Sequence, residues 1–148
     1  MARPQPGLKA RALNYLSRRE HSRAELEQKL ARFAEDDAEL AKVLDELQAC
    51  GWLSEQRFVE QVMNVRRGKF GCRRVAHELR EKGVSEAAIA TAAAQYRDQD
   101  PATARAVWQR KFGHVARDAQ ERARQMRFLQ SRGFDMDVIR KVVQGSEE

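Results

Sequence analysis

A glycine that ends one helix and precedes the start of another recurs at a fixed spacing, and this limits the fold more than any other feature of the chain. Leu79-Arg-Glu-Lys-Gly83-Val84-Ser85, followed by Ile89, is matched 50 residues later by Leu129-Gln-Ser-Arg-Gly133-Phe134-Asp135, followed by Ile139. Each copy reads as the last turn of a helix, a terminator that favours the left-handed conformation, an apolar residue folding back on that helix, and a new N-cap. Ser22, Leu26 and Leu30 precede Gly71, Val75 and Leu79 by 49 residues each. Two agreeing offsets in 148 residues predict tandem units of roughly 45–50 residues.

Between the terminators the apolar residues keep helical period. Leu13 and Leu16 mark a first helix from about Leu8 to Arg19; Leu26, Leu30 and Phe33 a second; Leu40, Val43, Leu44 and Leu47 a third. Phe58, Val62 and Val65 follow, then Val75 and Leu79, then Ile89, Ala92 and Tyr96. Val107, Trp108 and Phe112, then Met126 and Leu129, then Val138 to Val143 complete nine expected helices. Ser22-x2-Glu25 and Asp118-x2-Glu121 read as capping boxes, Ser54, Ser85 and Asp135 as N-caps, and Asp100-Pro101 as an N-cap with proline at the first helical position. The expected fold is all-α: three tandem three-helix repeats in an elongated, curved body. Their bounds are 8–53, 54–97 and 98–148, after a loose tail over residues 1–7.

Chemistry-bearing patterns are missing. His21, His77 and His114 are scattered, and Cys50 and Cys72 are far apart with no ligand spacing, so neither a metal, a cofactor nor a disulfide is expected. There is no phosphate-binding glycine loop and no paired-carboxylate motif, so no catalytic site and no small-molecule substrate are expected. No run of 18 apolar residues and no signal-peptide pattern occurs. A cytoplasmic protein with no membrane association is the expectation.

The charge instead suggests a binder. The net charge is +6, and it comes in blocks. Residues 57–82 carry eight basic against three acidic residues, densest in Arg66-Arg67-Gly-Lys69-Phe70-Gly-Cys-Arg73-Arg74. Arg66 and Arg67 complement a helix C-terminus, but Arg73 and Arg74 sit at a helix start, where cations are unfavourable, and this placement points to use on phosphates or carboxylates. A further block holds Arg18, Arg19 and Arg23, and a third cluster Arg122, Arg124, Arg127 and Arg132; residues 35–48 are acidic. Trp52, Trp108, Phe70 and Phe134 are expected to pack between units.

Three blocks resemble the RecX family of bacterial regulatory proteins. They are Tyr15-Leu16-x2-Arg19-x2-Ser22-x2-Glu25-Leu26-x2-Lys29-Leu30, then Gly51-Trp52-Leu53-Ser54-Glu55-x2-Phe58, then Arg66 to Gly71 with Arg73-Arg74-Val75-x2-Glu78-Leu79-x2-Lys82-Gly83-Val84. Cys72 departs from the pattern, since many members have proline there. The resemblance implies a protein that binds the RecA recombinase filament on single-stranded DNA and restrains filament extension, ATP hydrolysis and strand exchange, its basic clusters meeting acidic filament surface, filament-bound DNA or both. The contact residues expected on that reading are Arg66, Arg67, Lys69, Arg73 and Arg74, then Arg18, Arg19 and Arg23, with Arg124 and Arg127 in the third unit. The alternative is a DNA-binding protein with helix-turn-helix-like units that acts without RecA.

Overall fold

The structure is a computed structural model that describes residues 4–145. Among these it has nine α-helices and no strand. They are α1 (Leu8–Arg18), α2 (Arg23–Leu30), α3 (Asp37–Ala49), α4 (Glu55–Arg66), α5 (Cys72–Glu81), α6 (Glu86–Arg97), α7 (Asp100–Lys111), α8 (Ala119–Ser131) and α9 (Met136–Val143). Of the expected tail, residues 1–3 lie outside the described residues and residues 4–7 carry no helix.

The chain divides into two compact units. Among the described residues, one holds 4–61 and Glu81–Val84; the other holds Val62–Arg80 and 85–145. In the first, Leu8 and Ala12 of α1 meet Leu26 and Leu30 of α2 and Leu40, Leu44 and Leu47 of α3 in one cluster. In the second, Ala104, Val107 and Trp108 of α7 pack with Leu129, Phe134, Ile139, Val142 and Val143. Both cores use the helical-period residues, because burying the apolar stripe is what stabilises helices this short.

Local capping follows the sequence closely except at Glu121, at Asp135 and at Asp100, which faces α5. Ser22 and Glu25 form the reciprocal box: the hydroxyl accepts from the Glu25 amide at 3.1 Å and the carboxylate from the Ser22 amide at 3.1 Å. Asp118 accepts from the Glu121 amide at 2.8 Å, but Glu121 turns to the Arg117 amide at 3.1 Å, so the second box is not reciprocal. His114 Nε2, 2.6 Å from Glu121, pulls the carboxylate that way. Asp135 holds the N-cap position of α9 without a side-chain cap bond and instead lies 3.8 Å from both Arg73 and Arg97.

The terminators do more than stop helices. Gly133 has φ +92°, and a Cβ there would strike the backbone of Arg74 at the start of α5. Gly83 has φ +79°, and a Cβ there would lie 2.7 Å from Cβ of Ala24 at the start of α2. Both pairs are 59 residues apart, so each terminator presses on the same place of the preceding triplet. The repeat is thus a repeat of contacts as well as of sequence.

Tyr96 ties α6 to the loop before α5. Its buried hydroxyl lies 2.9 Å from the Arg66 carbonyl and 3.0 Å from the Phe70 carbonyl, and burial pushes its pKa up to about 12. Tyr96→Phe is expected to lower stability by about 1–2 kcal/mol, because the loop loses its hydrogen-bond donor in a buried setting. Urea denaturation measures this; an unchanged midpoint would show that the hydroxyl does not hold the loop.

Candidate basic interface

The dense basic run is built around the first turn of α5, and that turn is capped from far along the chain. The Gly71 amide donates to the Arg132 carbonyl at 2.8 Å and the Arg73 amide to the Gly133 carbonyl at 3.1 Å. The Cys72 amide, between them, donates to both oxygens of Asp100 at 3.2 and 3.1 Å. A carboxylate and two carbonyls therefore sit on the positive end of α5, which offsets the cost of Arg73 and Arg74 there. This corrects the sequence reading of Asp100: Gln99 is the N-cap of α7, and Asp100 is its first helical residue, 1% exposed and turned onto α5. The departure at Cys72 has a consequence here, since proline at that position would have no amide to give Asp100.

Burial pushes the Asp100 carboxyl up to about 6, with Asp135 adding to the rise; the Cys72 amide and Arg97 act the other way. The native state therefore holds a proton that the unfolded chain has released between roughly pH 4 and 6. Stability falls as pH rises through that window, by about 3 kcal/mol in all. Asp100→Asn keeps an acceptor for the Cys72 amide and removes the ionisation. The variant is expected to gain on the wild type between pH 4 and 7 in urea denaturation. A pH-independent difference would remove the assignment.

Phe70 is the centre of the cluster. The Arg74 guanidinium carbon lies 4.0 Å from its ring centroid, Arg132 5.4 Å and Arg66 5.7 Å, so three cations share one ring. Arg74 also donates to the Ser131 carbonyl at 3.2 Å. Beside it, Lys69, Arg110, Lys111 and Arg132 line a cavity of about 250 Å³ whose apolar wall is Val107 and Phe128. Arg66 is held differently. It makes a two-bond fork to Glu78 at 3.0 and 2.9 Å, which raises its pKa and makes it a brace between α4 and α5.

The remaining expected contact residues divide by role. Arg67, Arg73, Arg18, Arg124 and Arg127 are exposed. Arg19 makes a fork to the buried Glu25 at 2.7 and 3.3 Å, and Lys82 approaches the same carboxylate at 3.6 Å. Burial would raise Glu25, but these partners and the Ser22 amide hold it at about 2. Arg23 bonds Asp45 at 2.8 Å and lies 3.4 Å from Glu27. Arg19 and Arg23 are thus engaged inside the first unit. Trp108 and Phe134 are buried, but Trp52 is 58% exposed, against the expectation that it packs. The amides of both Trp52 and Leu53 fold back onto the Leu47 carbonyl, and Leu53, not Trp52, enters the core. Arg110 and Lys111 went unread as contacts because their sequence signal is only a basic last turn on α7.

No group of three metal-capable side chains occurs among the described residues, and none of their helices is long and apolar enough to cross a membrane. Family models for the RecX first, second and third three-helix domains match residues 9–47, 54–92 and 98–143. The chain belongs to the RecX family. Regulatory protein RecX of Leptothrix cholodnii is 50% identical over 141 residues, covering 95% of this chain and 90% of its own. That of Chromobacterium violaceum is 47% identical over 148 residues, covering 100% and 96%. The crystal structure of RecX from Lactobacillus salivarius superposes with a TM-score of 0.80 over 93% of each chain at 19% identity, which shows the shared fold. The family signature is now physical: Arg19, Ser22 and Glu25 form one network in the first unit, and Arg66 and Glu78 another in the second.

Proposed function

We propose that this protein binds the RecA recombinase filament on single-stranded DNA in the bacterial cytoplasm and restrains its ATP hydrolysis, extension and strand exchange. The observation that carries the reading is the RecX match in all three three-helix domains. The basic surface around Phe70 supports it, because a cluster of forked cations beside exposed lysines suits carboxylate or phosphate groups. Lys69, Arg74, Arg110, Lys111 and Arg132 are the primary contacts, with Arg67 and Arg73 next to them. Arg18, Arg124 and Arg127 are secondary contacts. Arg66, Arg19 and Arg23 serve by holding the helices that present them. The protein acts by binding and has no chemistry of its own. The expected repeats at 8–53, 54–97 and 98–148 are its contact modules, each adding to the others by effective concentration.

Co-sedimentation with RecA filaments assembled on single-stranded DNA tests the reading. Retention with the filament is expected to exceed retention with the bare DNA at the same salt. The second reading, RecA-independent DNA binding, is favoured by Phe128 beside Lys111 and Arg132, a pairing that suits stacked bases. Equal retention on bare DNA, falling steeply with salt, would select it.

A further inference from the structure

The repeat builds one groove twice, and the two copies carry opposite charge. In the first unit a groove of about 920 Å³ runs between α2 and α3, with Ala24, Glu27 and Ala31 on one wall and Asp37, Leu40 and Ala41 on the other. In the second unit a groove of about 470 Å³ runs between α5 and α6, with Arg73, Ala76 and Arg80 facing Glu86, Ile89 and Ala90. Each of these six positions follows its counterpart by 49 residues, the offset that relates Ser22 to Gly71. The floor is conserved in kind between the two, Leu40 for Ile89 and Ala41 for Ala90. The rim is conserved only where Glu86 answers Asp37: Ala24 and Ala31 are answered by arginines, and Glu27 by Ala76. Helix packing explains the shared shape and leaves the rim charge unexplained.

We propose that the α2–α3 groove is a docking site for a basic amphipathic segment of a partner protein. Glu25, Glu27, Asp37 and Glu81 line it against a single cation, Lys82, in a chain of net charge +6. Glu25 is committed to Arg19, Lys82 and the Ser22 amide; Glu27, which also pairs with Arg23 at 3.4 Å, is exposed at the rim, as are Asp37 and Glu81. That field repels a phosphodiester chain and attracts lysine or arginine. The alanine and leucine floor takes aliphatic side chains and lets a backbone approach closely. From Ala24 to Ala31 the α2 wall spans about two helical turns, enough for leucines at i, i+3 or i+4, and i+7 of an incoming helix. The inference goes beyond RecA binding and does not rest on it.

The test uses the full chain and a fluorescein-labelled synthetic helix with leucines on one face and lysines elsewhere, read by anisotropy. A companion helix carries glutamate in place of lysine. The lysine helix binds and the glutamate helix does not. Glu27→Lys with Asp37→Lys weakens binding by roughly tenfold or more, since each site loses an attraction and gains a repulsion. Ala41→Trp fills the floor without changing charge and weakens it by roughly tenfold as well; Ala41→Leu is the milder filler, with circular dichroism confirming the fold of each. Ala90→Trp, at the matching place in the second unit, leaves binding unchanged. Lysine-helix binding that survives either the charge reversal or the filled floor overturns the proposal, as does equal binding of the glutamate helix.

Discussion

Gly133→Val is expected to cost at least about 4 kcal/mol and to lower the melting temperature by about 10 °C or more. Two effects add. At φ +92° a β-branched residue is strained, and its Cβ would lie 2.6 Å from the amide nitrogen of Arg74 and 3.0 Å from its Cα. Those atoms are backbone and cannot rotate aside. Moving them breaks the Arg73 amide bond to the Gly133 carbonyl and the neighbouring Gly71 bond to Arg132. The positive end of α5 would then keep only Asp100. Gly51→Ala supplies the comparison: φ is +81°, but nothing lies within 4 Å of the added carbon. Its expected cost is about 1 kcal/mol, the conformational strain alone. Thermal unfolding followed by circular dichroism measures both. Equal losses would mean that the contact of Gly133 with α5 does not matter.

Arg74→Glu combined with Arg132→Glu is expected to weaken inhibition of RecA by about a hundredfold or more. Each reversal removes a cation from the Phe70 cluster and places a repulsive charge beside the other, at about 1.4 kcal/mol or more per residue. The fold should survive. The bonds Arg132 makes through its backbone are unaffected, and Arg74 gives up one exposed hydrogen bond to the Ser131 carbonyl. A matched melting temperature with lost inhibition assigns the surface to the partner. Full inhibition by a folded double variant would move the contact elsewhere. Arg66→Glu is a poorer probe, because it breaks the Glu78 fork and unsettles the α4–α5 packing it braces.

The helices and most of their caps were legible because their determinants are local. Ser22 and Glu25 are three residues apart, and a glycine terminator carries its own conformational signal. Asp100 was not legible. Its partner is the Cys72 amide, 28 residues away, and an Asp-Pro pair offers a local explanation that the fold does not use. The same reason hid Arg110 and Lys111, and hid that Arg132 belongs with Lys69 and Arg74. Arg74 reaches Ser131 across 57 positions and Arg110 reaches Gly68 across 42, so no window along the chain shows them together. Charge counting also cannot separate a cation that faces solvent from one that braces the fold. Arg19 and Arg74 look alike in sequence; one is forked onto a buried carboxylate and the other lies exposed over a ring. Trp52 failed for a similar reason, since in Gly51-Trp52-Leu53 only the tertiary path decides which side chain turns inward.

Steady-state ATP hydrolysis by RecA on single-stranded DNA, titrated with this protein, tests the central claim most directly. Hydrolysis is expected to fall progressively with added protein, and to stay high when the Arg74→Glu, Arg132→Glu variant is added instead. Undiminished hydrolysis at an excess of folded wild-type protein over RecA would contradict the account.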